Sequence, residues 1–239
     1  MRRLSRKDIE GIAGRVITAY KNMPVNEGKV LNKVDPELLV HGLLGLNIEF
    51  KHLSLDGSIL GLTSFGDLGI QVYDDEDDIY FLDSQTVLIE RDLRENADMH
   101  GRCNFTIMHE GSHQIYKMLF PRDYGIRYRT EVHYYRMNES KSKQITNWEE
   151  WQANTLASEL ILPRECVERS LFLFGFDERI HMLNRIYAPT QYERFKDMAI
   201  FLGVSKKALA IRLKQLGLLE KDYYDDPYSL FDVRKDDDD

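Results

Sequence analysis

The chain has 239 residues, 43% of them apolar and 30% charged, with a net charge of −8. That balance suits one sizeable globular domain or two small ones and argues against disorder. Two cysteines, Cys103 and Cys166, supply no disulfide framework and lack the paired spacing of a zinc ribbon.

In chain order, the basic start Met1-Arg2-Arg3-Leu4 precedes residues 9–20 (IEGIAGRVITAY), where apolar positions recur at helical spacing. This reads as an amphipathic helix, not the apolar run of a signal peptide. Nowhere does the chain approach the roughly 18 consecutive apolar residues of a membrane span, so no membrane partner is implied and the cytoplasm is the expected compartment. A polar turn near Asn22–Pro24 separates this helix from a second one, capped by Asp35 with Pro36 in its first turn.

From Ile48 to Leu93 the period changes. IEFKHL, GLTSF, GIQVY and DIYFLDSQTVLIE are rich in β-branched and aromatic residues, which predicts three to five short antiparallel strands. The acidic run 74–78 (DDEDD) reads as a hairpin turn; it lacks the spaced ligands of a calcium loop.

Residues 104–120 form the next predicted helix, with Phe105, Met108, Ser112, Ile115 and Leu119 on one stripe and Pro121 as the stop. An aromatic and basic connection, 122–146, leads to another helix at 147–162, ended by Pro163. The remainder to about Leu219 reads as helical. Glu220–Asp239 holds nine acids and three bases, a net of −6, and reads as a solubilising tail.

The string that carries chemistry is His109-Glu110-Gly111-Ser112-His113. On a helix, residues i and i+4 sit one above the other, so both imidazoles project from one face with Cβ atoms about 5–6 Å apart. Two neutral imidazole nitrogens at that spacing can share one Zn²⁺. Glu110 is then placed to serve as a general base and acid on an attacking water without being a ligand.

A catalytic zinc site needs a third protein ligand, and the helix at 147–162 offers Glu150. Its face also carries Ala153, Asn154, Ala157 and Ile161; small residues there permit a close helix crossing. Glu149 points about 100° away. Asn154, one turn on, is placed to hydrogen-bond a ligand imidazole. Two histidines and a carboxylate also suit Mn²⁺ or Fe²⁺. For the oxyanion, His133, Tyr134, Tyr135 and Arg136 are all chemically suitable, and spacing selects none of them.

Residues 193–216 have the pattern of a helix-turn-helix. Ala199 is small at the crossing, Gly203 suits the turn, and Ser205 is a cap. Lys206, Lys207, Arg212 and Lys214 give the second helix four positive charges, suited to phosphate contacts. The acidic tail that follows favours a packing module over a DNA reader.

Taken together, Arg102-Cys-Asn-Phe105-Thr106-Ile-Met-His109-Glu110-Gly-Ser-His113, then Glu150-Trp-Gln-Ala153-Asn154 and Leu160-Ile-Leu-Pro163, resemble the ImmA/IrrE metallo-endopeptidases. Ser112 stands where that family usually has a second glycine, and Leu162 where it has methionine. The resemblance spans about residues 5–220. It implies His109, His113 and Glu150 as zinc ligands, Glu110 as base, and a protein substrate such as a helix-turn-helix repressor or antitoxin.

The expected fold is α+β: a zincin-like domain at 1–175 with a small, mostly antiparallel sheet, a helical module at 176–219, and the tail at 220–239. The expected activity is zinc-dependent cleavage of a specific protein partner. The competing expectation is a DNA- or protein-binding regulator whose zinc domain is inactive or structural.

Overall fold

The computed structural model describes residues 3–74, 77–123, 132–136 and 148–229, with backbone alone at 77–78 and 132–136. Helix α1 (Arg6–Lys21) begins at a reciprocal cap. Ser5 Oγ accepts from the Asp8 amide, and the Asp8 carboxylate accepts from the Ser5 amide at 2.9 Å. Its buried face is Ile9, Ile12, Ala13, Ile17 and Tyr20, the helical spacing read from sequence. Asp35 Oδ1 accepts from the Leu38 amide at 3.1 Å, as its capping role requires. The helix it opens, Leu38–Leu43, is short and wide-turned, with a five-residue hydrogen bond from Leu44 to Leu39.

Five strands follow: β1 (Asn47–Lys51), β2 (Ile59–Ser64), β3 (Leu68–Tyr73), β4 (Asp77–Leu82) and β5 (Thr86–Glu90). A sixth, β6 (Val132–Arg136), lies inside the segment read as a plain connection. The main sheet has the order β1-β5-β2-β6. β2 pairs antiparallel with both neighbours, while β1 and β5 run parallel, so the sheet is mostly antiparallel, as expected, with one parallel pair. A parallel pair needs a long crossover, and the intervening β2–β4 region supplies it. Strands β3 and β4 form a separate antiparallel hairpin across the acidic run. Leu53, Leu62, Ile70, Val72, Leu82 and Leu88 pack between that hairpin and the main sheet.

After a short helix, α2 (Arg91–Glu95), comes α3 (His100–Leu119), which starts four residues before the expected Asn104. Every residue from Thr106 to Tyr116 is buried. The helix lies against β2 and β5 on one side and against α4 (Trp148–Ile161) on another. A sequence stripe reports one apolar face only. Here the polar faces are covered too, and His109, Glu110 and His113 lie on them.

The chain divides into two compact units, Met1–Pro163 and Arg164–Asp239. The sequence placed this boundary after residue 175. Helix α5 (Arg164–Leu173) falls in the second unit, tied there by Arg164 donating to the Leu216 carbonyl and Arg194 donating to the Gly175 carbonyl. The second unit continues with β7 (Ile180–Leu183), α6 (Pro189–Leu202), α7 (Lys206–Gln215) and β8 (Leu219–Asp222). Gly203 turns the chain between α6 and α7 at φ 69°, and Ser205 Oγ caps α7 by accepting from the Ala208 amide. The parallel β7–β8 pair corrects the all-helical reading; four-residue strands are too short to show a period. Residues 230–239 of the acidic tail lie outside the described residues. No described helix is long and apolar enough to cross a membrane.

Candidate metal centre

Helix α3 brings the His109 and His113 rings to a centroid separation of 4.9 Å, edge to face, with their Nε2 atoms 3.2 Å apart. From α4, Glu150 completes a triangle. Its Oε2 is 3.1 Å from His109 Nε2 and its Oε1 is 3.3 Å from His113 Nε2. Both imidazoles are 1% exposed and the Glu150 side chain is 16% exposed.

These separations can be tested against a metal. Two ligands each about 2.0–2.1 Å from zinc at the tetrahedral angle stand about 3.3 Å apart. The Nε2–Nε2 separation of 3.2 Å matches that edge, and each imidazole nitrogen has one Glu150 oxygen at 3.1–3.3 Å, so the residues present fit a zinc ion.

Packing explains why the triangle forms. Ala153 and Ala157 are fully buried on α4, which lets the helices approach closely. Tyr116 Oη donates to the Gln152 carbonyl at 3.0 Å across the α3–α4 contact. The Gln152 side-chain oxygen accepts from the Leu4 amide at 2.6 Å and from Trp148 Nε1 at 3.0 Å, tying the start of α4 to the N-terminal segment. On the sheet side, Gln114 Nε2 donates to Thr63 Oγ1 at 2.6 Å and to the Ser64 carbonyl at 2.9 Å. None of these ties was named from sequence. Gln114 and Gln152 carry no motif signal, and only their partners show their role.

Glu110 is fully buried. Neither of its carboxylate oxygens has a hydrogen-bond partner among the described residues. Burial, and then the nearby charge of Glu150, pushes its pKa well above the ordinary 4.5. Such a group is poised to hold a proton and pass it on.

The same burial has a stability consequence in metal-free protein. The unfolded chain releases this proton near 4.5, while the folded chain keeps it to higher pH. The native state therefore binds more protons above that value, and stability falls as pH rises from there through the folded value. Glu110→Gln is expected to flatten this decline. In chelator, the thermal unfolding curves of the variant and the parent should diverge as pH rises above about 4.5, the parent losing stability. Parallel curves would remove burial of this carboxylate as a cause.

Asn154 is half-buried on α4, one helical turn beyond Glu150. The side chains of His133, Tyr134, Tyr135 and Arg136 lie outside the described residues, although their backbone pairs with β2.

A second group of potential ligands, His52, Glu90 and Asp92, has a structural explanation. Glu90 accepts from the Leu53 amide and pairs with His52 Nδ1, both at 2.8 Å. Asp92 is 66% exposed and stands 4.0 Å from that imidazole.

In the second unit, the positive charges of α7 are largely engaged. Lys207 pairs with Asp225 at 3.6 Å, Lys214 with Asp222 at 3.5 Å, and Lys206 lies over the Tyr192 ring. Arg212 is only 2% exposed. Phosphate contacts need free, exposed cations. The full chain is therefore expected to leave duplex DNA unshifted in a gel at 50 mM salt; a salt-sensitive shift would restore the DNA reading.

Comparison with known proteins adds no assignment: no family model matches the chain, and a search of curated proteins finds no match.

Proposed function

We propose that this chain is a zinc-dependent endopeptidase with a zincin-like first unit and a helix-turn-helix-like second unit, acting on a specific protein partner. The observation that carries the reading is the triangle of His109, His113 and Glu150 donors at zinc spacing, with the buried carboxylate of Glu110 beside it. A purely structural zinc site has four protein ligands and no use for such a carboxylate.

His109 and His113 would hold the ion through Nε2, and Glu150 through its carboxylate. When bound, zinc supplies a Lewis acid that brings the pKa of water to about 7 and polarises a peptide carbonyl. Glu110 takes the proton of the attacking water on a carboxylate oxygen. It then delivers that proton to the amide nitrogen as the C–N bond breaks. The dry surroundings of Glu110 make it a stronger base than an exposed carboxylate, since charge is costly there.

The resemblance to ImmA/IrrE peptidases supports a helix-turn-helix repressor or antitoxin as the substrate. The test is incubation of the zinc-loaded chain with any helix-turn-helix protein encoded beside it, followed by mass spectrometry of the products. Discrete fragments absent from the chelator control support the reading. An intact partner, and no cleavage of unstructured test polypeptides, would defeat it.

A further inference from the structure

Strand β2 runs beside α3, and its Gly61 faces Glu110. A Cβ placed on Gly61 would stand 2.7 Å from Glu110 Oε1, 3.0 Å from Glu110 Cγ and 2.5 Å from Thr106 Cγ2. Real Cβ atoms do not approach so closely, so the carboxylate occupies space that only a glycine leaves open. The strand is also irregular here, with a register shift against β6 between Ile59 and Gly61, as bulges that re-aim a side chain produce.

The contact cannot slide away. Gly61 and Thr63 lie on the same strand face, two residues and about 6.6 Å apart. Glu110 and Gln114 lie one turn and about 6 Å apart on the helix. The two spacings match, so strand and helix stay in register over this distance. One turn on, Gln114 is bonded to Thr63 Oγ1 and to the Ser64 carbonyl, which pins that register.

From this geometry we infer that Gly61 is a positioning residue: the bare backbone at position 61 is the floor on which the Glu110 carboxylate rests beside the His109–His113–Glu150 triangle. The inference rests on the peptidase reading, in which Glu110 moves the proton. A side chain at 61 would displace the carboxylate while leaving the three ligand side chains in place. A misplacement of about 1 Å is enough to cost on the order of 100-fold in rate.

The experiment compares Gly61→Ala with the parent in kinetics and in stability. The variant should bind one zinc per chain, keep its KM, and lose about 10–100-fold in kcat. In the Glu110→Gln background the same substitution should cost no further rate, because the group it displaces no longer works; a merely structural role would slow both backgrounds alike. Should Gly61→Ala fold poorly, Gly61→Ala with Thr106→Ser removes the closest clash and keeps the one with Glu110, so kcat stays low while stability recovers. Independently of activity, thermal unfolding of metal-free protein should show that Glu110→Ala relieves the destabilisation caused by Gly61→Ala. An active parent with an unchanged kcat in Gly61→Ala, or additive stabilities, would overturn the positioning role while leaving the peptidase reading intact. A parent that cleaves nothing would overturn the peptidase reading and this inference with it.

Discussion

Glu110→Gln is expected to retain zinc and to lose about 10²–10⁴-fold in cleavage rate, the range that a general acid–base group contributes. The substitution keeps the size of the side chain, so the space over Gly61 stays filled and α3 has no reason to move. It leaves the donor triangle untouched, because Glu110 is not among the three groups that meet. What it removes is the ability to take and return a proton in a site where both carboxylate oxygens are fully buried. Zinc content by mass spectrometry and initial rates on the cleaved partner check the two halves together. Undiminished cleavage in zinc-loaded Glu110→Gln would end the proposed mechanism, whatever the metal does.

Glu150→Ala should have the opposite signature, with zinc affinity falling first. Removing one of three ligands ought to exceed the roughly 10–100-fold cost of losing an outer-shell partner. The helix should survive the change, because α4 is held by Ala153 and Ala157 in the core and by the Tyr116–Gln152 hydrogen bond. Competition with a fluorescent chelator measures the affinity. A second readout is the stabilisation that zinc confers, about 2.7 kcal/mol when free metal exceeds Kd 100-fold; the variant should lose most of it. Glu149→Ala is the control, since that residue stands outside the triangle. Equal zinc affinity in both variants would mean that the metal, if bound, is held elsewhere.

Much of the local architecture was legible because local rules govern it. The caps at Asp35 and Ser205, the turn at Gly203, and the stops at Pro121 and Pro163 are set by residues within a few positions of one another. The pairing of His109 with His113 is of the same kind, a consequence of 3.6 residues per turn. Glu150 is the harder case. Periodicity ranked it above Glu149 because Ala153 and Ala157 share its face, and the close helix crossing follows from those small side chains.

Other features have no local cause. β6 hides in the 122–146 segment because a five-residue strand shows itself only beside β2. The parallel course of β1 beside β5 depends on how the chain returns through three intervening strands. β7 and β8 are four residues each and find one another across two helices.

By itself, then, the sequence determined the helix that carries two imidazoles and a carboxylate, and the face of a second helix that could bring a third donor, since both depend on rotation per residue. Only the tertiary structure decided that those donors meet at metal spacing, that both Glu110 oxygens are buried without a hydrogen-bond partner among the described residues, and that a glycine about fifty residues earlier makes room for them. Distances between segments remote in the chain come from packing, in which every covered face has a neighbour that no short window of residues contains.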